Sequence, residues 1–157
     1  MIVLAIDPGF DKLGYAFFEF NTFPQKNYKF ITSGLIKSNP KDSIEKRLNH
    51  IYQTLSVLIK KINPNLIVIE QIFFLKNKKT IIQVSQAQGV ILLLAAQNKI
   101  KIKFITPLQI KQVITGYGHS DKQSIKKMLT LTNKIPSIRE DDETDAIACG
   151  LAYFYLN

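Results

Sequence analysis

Ile2-Val3-Leu4-Ala5-Ile6-Asp7-Pro8-Gly9 is the stretch whose reading decides the fold. Five apolar residues without polar alternation describe a strand covered on both faces. Pro8 and Gly9 break it, and Asp7 is left where a buried element meets solvent. A second stretch repeats the pattern: Leu66-Ile67-Val68-Ile69 closes on Glu70. Between the two, Ile44, Leu48, Ile51, Leu55, Leu58 and Ile62 recur at intervals of three and four, predicting a helix over 41–62. Asn63-Pro64-Asn65 stops that helix, and Asp42 or Ser43 caps it, with Glu45 supporting a cap at Asp42. A helix joining two fully apolar strands is a parallel crossover, which sets the strand ending in Glu70 beside the strand ending in Asp7.

Outward from this pair, residues 13–20 and 28–37 read as two more strands joined through 21–27, where Pro24 sits, making an antiparallel three-strand opening. The longest predicted helix spans 77–98. Its apolar residues (Ile81, Ile82, Val84, Ala87, Val90, Ile91, Leu94, Ala95) cover so much of the circumference that burial against a second subunit is expected. A fifth strand over 100–105 follows, then a short helix near 107–115, a loop at 116–119, a helix over 120–132 and a last helix from about Asp141. No repeat, low-complexity run or linker divides the chain, so a single α/β domain over 1–157 is expected.

The 157 residues carry 21 Lys and Arg against 12 Asp and Glu, a formal charge of +9. That balance favours a polyanionic partner, since each neutralised phosphate releases counterions; simple solubility accounts for it equally well. The one cysteine, Cys149, excludes an intrachain disulfide and a cysteine-based zinc cluster. It lies in an apolar helical stretch and reads as a small core residue. Met1 leads straight into a strand, so no signal peptide is expected, and no apolar run reaches the ~20 residues a membrane span needs. A soluble, cytoplasmic protein is the expectation.

In this frame four acids stand out. Asp before Pro-Gly is ordinary turn chemistry, and acids at 140–145 suit the first turn of a helix. Glu70 resists such a reading, because an ionised carboxylate joining a buried strand is costly unless paired or metal-bound. Asp7 and Glu70 end neighbouring strands at the edge where open α/β sheets place their sites. Asp142 and Asp145, three apart, share one helix face. Clustered carboxylates are the cage expected for a hard divalent cation such as Mg2+. Two such ions serve phosphodiester hydrolysis, one generating hydroxide and one stabilising the leaving oxygen.

Several stretches carry a resemblance. Ile6-Asp7-Pro8-Gly9 followed by Gly14-Tyr15-Ala16 is similar to the opening of RuvC-type Holliday junction resolvases. So are Ile69-Glu70-Gln71-Ile72-Phe73-Phe74, Thr106-Pro107-Leu108-Gln109-Ile110-Lys111-Gln112, Thr115-Gly116-Tyr117-Gly118 and Asp142-Glu143-Thr144-Asp145-Ala146-Ile147-Ala148. The matches keep the family's order along nearly the whole chain. The resemblance implies an RNase H-like fold, a five-stranded mixed sheet flanked by helices. It implies a homodimer that nicks four-way DNA junctions symmetrically with two Mg2+ or Mn2+ ions per site, working in bacteria beside a branch-migration motor.

The family's catalytic and metal-binding acids fall on Asp7, Glu70, Asp142 and Asp145. Its junction-wedging aromatic falls on Phe73, with Phe74 beside it, and its phosphate-side lysines fall on Lys111 and Lys122. Lys76 and Lys78 follow the aromatic pair, a mixture that stacks on bases while holding backbone; the plainer reading buries one of the two rings. The chain departs from the family at Ala5, where Gly is frequent, and at Gln88, where Arg is usual. His119 reads as a solvated or DNA-facing loop residue. A nucleotide-hydrolysing fold of the actin and Hsp70 kind also opens with an acidic phosphate turn but needs a second lobe that this length does not hold. The remaining alternatives are a catalytically silent junction-binding scaffold and a less selective branched-DNA nuclease of a phage or mobile element.

Overall fold

The computed structural model describes residues 1–21, 24–72, 78–131, 135 and 140–157, the side chains of 78–80 excepted. Five strands, β1 (Ile2–Asp7), β2 (Lys12–Asn21), β3 (Asn27–Lys37), β4 (Leu66–Glu70) and β5 (Lys101–Ile105), form one mixed sheet in the order β3-β2-β1-β4-β5. β1 pairs antiparallel with β2 and parallel with β4, and β4 runs parallel to β5. The crossover from β1 to β4 contains α1 (Ile44–Ile62), as the spacing of apolar residues predicts. The remaining helices are α2 (Lys78–Gln97), α3 (Pro107–Thr115), α4 (Lys122–Leu131) and α5 (Asp141–Leu156).

β1 is the middle strand, and Val3, Leu4, Ala5 and Ile6 have no exposed surface. Alternate side chains enter two separate cores. Val3 and Ala5 join Ala16, Phe18 and Val68 under α3, α4 and α5. Leu4 and Ile6 join Leu13, Phe17, Ile67 and Ile69 under α1 and α2. Each buried branched side chain is worth about 1.5–3 kcal/mol relative to exposure, so a slip of β1 by one residue exchanges the two cores and is strongly disfavoured.

Local signals fix the element ends. Thr106 and Gln109 make a reciprocal capping box at the start of α3, with Pro107 in the first turn. Asn63 takes a left-handed conformation (φ 54°) and donates its N–H to Ile59 O, closing α1 before Pro64. α1 uses the second of its two expected caps and opens at Ile44 rather than Lys41. Asn39–Asp42 form a turn instead of the helix's first residues, with Asp42 N–H bonded to Asn39 O at 3.0 Å. Ser43 is then the N-cap, and its hydroxyl bonds the Glu45 carboxylate rather than a backbone N–H. Among the described residues no helix is long and apolar enough to cross a membrane.

α5 lies against β1 and β2 at a separation set by small residues. A Cβ at Gly14 would stand 1.9 Å from Asp142 O, a backbone atom that cannot step aside. Farther along the helix, a Cβ at Gly150 would meet the Phe18 ring at 2.5 Å. Gly14→Ala must therefore push the front of α5 off β2. The expected loss of unfolding free energy is about 1–3 kcal/mol or more, read by urea denaturation. A variant as stable as the parent would show that this contact does not set the helix position.

Candidate active site

The parallel register of β1 and β4 (Val3 with Leu66 through Ile6 with Ile69) brings Asp7 and Glu70 out in step at one end of the sheet. α5 begins over that same end. Asp7, Glu70, Asp142 and Asp145 all line one cavity of about 340 Å³, together with Lys111, Lys122 and the apolar Pro107, Ile110 and Ile125. Four acids from three distant segments thus converge, as their positions in sequence suggest. Lys111 comes from α3, and Lys122 is the first residue of α4.

The acids are held against their preference for water. Burial, and then the charges of Glu70, Asp145 and Asp142, push the Asp7 carboxyl well above the usual carboxylate range, with Lys122 opposing. Burial likewise pushes Glu70 up, to about 7, with Asp145 adding to the rise and Lys122 and Lys111 opposing it. Lys122 Nζ lies 2.8 Å from Asp145 Oδ2. Partial burial pulls down on the Lys122 ammonium, but that hydrogen bond and the surrounding acids outweigh it, so its pKa ends raised.

These residues fit a divalent metal. The donor set is all carboxylate oxygen, which suits hard cations. Ionising it in a desolvated pocket calls for positive charge, and Lys122 already supplies one such charge to Asp145. Among the described residues no three acidic, histidine or cysteine side chains are arranged as a ready-made cation cage. The cavity therefore supplies ligands on separate elements that a cation would draw together.

The neighbouring acids do other work. Glu140, the N-cap residue of α5, binds Lys12 Nζ at 3.2 Å and Lys37 Nζ at 3.1 Å. Ser33 donates to Glu143 Oε1 at 2.6 Å. These contacts tie the front of α5 to β2 and β3, and pairs this remote in sequence leave no local signal. Arg47 was also missed as a positioning group, although its place in the stripe with Ile51, Leu55 and Ile59 marks it for burial. Its guanidinium lies 3.9 Å from the Phe10 ring centroid and also bonds Phe10 O, Ser38 and Asp11.

His119 is exposed and meets Tyr117 edge to face. Cys149 is fully buried, as its apolar surroundings predict. Phe73, Phe74 and Lys76 lie outside the described residues, as does the side chain of Lys78 at the start of α2.

Comparison with known proteins gives a consistent answer. A family model described as crossover junction endodeoxyribonuclease RuvC matches residues 3–153. A crossover junction endodeoxyribonuclease RuvC of Brachyspira hyodysenteriae is 43% identical, with 100% of this chain and 96% of that protein covered. One from Thermosipho melanesiensis is 42% identical over 94% of this chain and 93% of that protein. In fold, the chain resembles T. thermophilus RuvC in complex with Holliday junction substrate, with TM-score 0.89 and 22% identity over 99% of this chain and 94% of that one.

The raised Glu70 carboxyl predicts a pH effect on stability. A carboxyl with a raised folded pKa binds more protons when folded, so its contribution is present below the unfolded value and is lost as pH rises through about 7. Glu70→Gln, neutral throughout, should melt with the parent at pH 5 and several degrees above it at pH 8.5 in EDTA. Added Mg2+ should narrow the gap by binding the parent. A gap that is the same at both pH values in scanning calorimetry would contradict this account.

Proposed function

The chain belongs to the family of crossover junction endodeoxyribonucleases RuvC, an RNase H-like fold, and from that footing we propose that its carboxylate cavity is where a four-way DNA junction is cut. The protein is a Holliday junction-resolving endonuclease, and its family is divalent metal-dependent. The observation that carries the site assignment is the convergence of Asp7, Glu70, Asp142 and Asp145 on one cavity that also presents Lys111 and Lys122.

In this reading the four carboxylates hold two divalent ions, Mg2+ by preference and Mn2+ as a substitute. Bound there, the ions supply an activated water and stabilise the departing oxygen. Asp7 and Glu70, fixed by adjacent strands, form the immobile side of the site. Asp142 and Asp145 approach it from α5. Lys111 and Lys122 place point charges beside the scissile phosphate. Pro107, Ile110 and Ile125 limit water around the reacting group.

Phe73 and Phe74, with Lys76 and Lys78, are assigned to hold the crossover open; distortion at the branch point separates a junction from plain duplex. Paired symmetric nicks need two sites related by a two-fold axis, so the working unit is a homodimer of single-domain chains. Support comes from α2, where Ile82 is 61% and Leu93 52% exposed. A cytoplasmic location and cooperation with a branch-migration motor complete the reading.

The test is cleavage of labelled four-way junctions of several sequences beside matched duplex, with Mg2+, Mn2+ or EDTA. Paired nicks at symmetric positions on the junction alone, abolished by EDTA, are expected. Asp7→Asn should cut at least ~10²-fold more slowly, the scale of losing one electrostatic stabiliser in an enzyme site, while still binding junctions. Equal cutting of duplex would favour a general branched-DNA nuclease, and tight junction binding without cutting would favour a scaffold.

A further inference from the structure

The two lysines of the carboxylate cavity stand in different circumstances. Lys122 Nζ donates to Asp145 Oδ2 at 2.8 Å, whereas Lys111 lines the same cavity and makes no ion pair with a described residue. Among the described residues Asp145 is likewise the one acid of the four with a lysine bonded to it. One of the two carboxylates that α5 brings to the cavity is therefore already shared with a cation of the chain's own.

The mount under Lys122 is firm, and its side chain is not. At the start of α4, Asp121 accepts from Ser124 N–H at 2.8 Å, and Ile125 and Leu129 are buried on the helix's inner face. The loop before it is closed by Ser120, whose hydroxyl donates to Tyr117 O at 2.6 Å and whose N–H donates to the same carbonyl at 3.1 Å. Beyond that backbone the Lys122 side chain is 63% exposed, against 19% for Asp145. A flexible stem held by one hydrogen bond lets the ammonium leave Asp145 without any shift of the helix.

A divalent ion that takes Asp145 Oδ2 needs the oxygen that Lys122 holds, and an ammonium and a divalent ion on one oxygen repel each other. The ammonium that gives way remains at the cavity, where an entering phosphate offers it a new charged acceptor. We propose that Lys122 links cation and phosphate: a divalent ion displaces it from Asp145, and the freed ammonium turns to the phosphate. Cation binding and junction binding then assist one another, each raising the other's affinity by the same factor. Lys111, with no acid to give up, carries no such coupling. The inference rests on the carboxylate cavity being the metal-bearing cutting site, and it adds an order of exchange to that reading.

The experiment begins with calorimetric titration of Mn2+ into the parent, Lys122→Met and Lys111→Met, without DNA. Lys122→Met should bind the ion roughly three- to tenfold more tightly, the range of one partly buried charged pair. Lys111→Met, which removes the same charge from the same cavity, should gain less than about twofold. Tighter binding cannot come from misfolding. The second measurement is the affinity for a labelled four-way junction in Ca2+ and in EDTA, with cutting monitored on the same samples. Ca2+ should raise the parent's affinity by roughly three- to tenfold, Lys122→Met should lose most of that gain, and Lys111→Met should keep it. An unchanged Mn2+ affinity in Lys122→Met, equal shifts in the two variants, or a full Ca2+ gain in Lys122→Met overturns the inference. A parent that binds no divalent ion would instead overturn the metal-site reading on which it rests.

Discussion

Like charges gathered where they are partly withdrawn from water are the constraint on which the rest of this structure depends. Asp7 follows four residues with no exposed surface and is itself partly buried. Glu70 ends the adjacent strand, and two more acids arrive on a helix laid across both. Left alone, such a group takes up protons rather than ionise, which is the direction seen for Asp7 and Glu70. Everything around the cavity offsets that cost: two lysines at its margin, a hydrogen bond from one of them to Asp145, and chemistry that invites divalent ions.

The acids must also be held while repelling one another. Asp7 and Glu70 are secured by strand pairing in the middle of the sheet. Asp142 and Asp145 depend on the placement of α5, with Lys122 also holding Asp145, and that helix is fixed by three kinds of contact. Gly14 and Gly150 allow close approach. Glu140 is bracketed by Lys12 and Lys37, and Glu143 accepts from Ser33. The surface pairs are each worth little singly in water, so close packing carries most of the load and the charged contacts set orientation.

Much of this was legible from residue order. Apolar runs ending in acids located β1 and β4, and the period of the intervening helix implied their parallel adjacency. Thr106-Pro107 and Gln109 marked the start of α3 because capping is local chemistry. Of the two caps the sequence offers for α1, Ser43 is the one used, and the helix opens at Ile44 rather than Lys41 because Asn39 holds the backbone of 41 and 42, a contest that composition does not decide. The tethers of α5 join residues more than a hundred positions apart and have no local signature. The roles of Lys111 and Lys122 came from family resemblance alone, since lysines are common throughout the chain. Their shared cavity with the four acids is a fact of packing.

The distance in sequence between the site's parts has a consequence for how the protein is made. Asp7 leaves a ribosome well before Asp145, which lies far along the chain, at synthesis rates of roughly 5–20 residues per second. Until α5 docks, the sheet carries only two of the cavity's four acids, and the charges opposing Asp7 are fewer. A chain made only as far as β5 therefore lacks two of the four acids that line the cavity. The acids of the cavity come together only once α5 has been made and docked on the sheet.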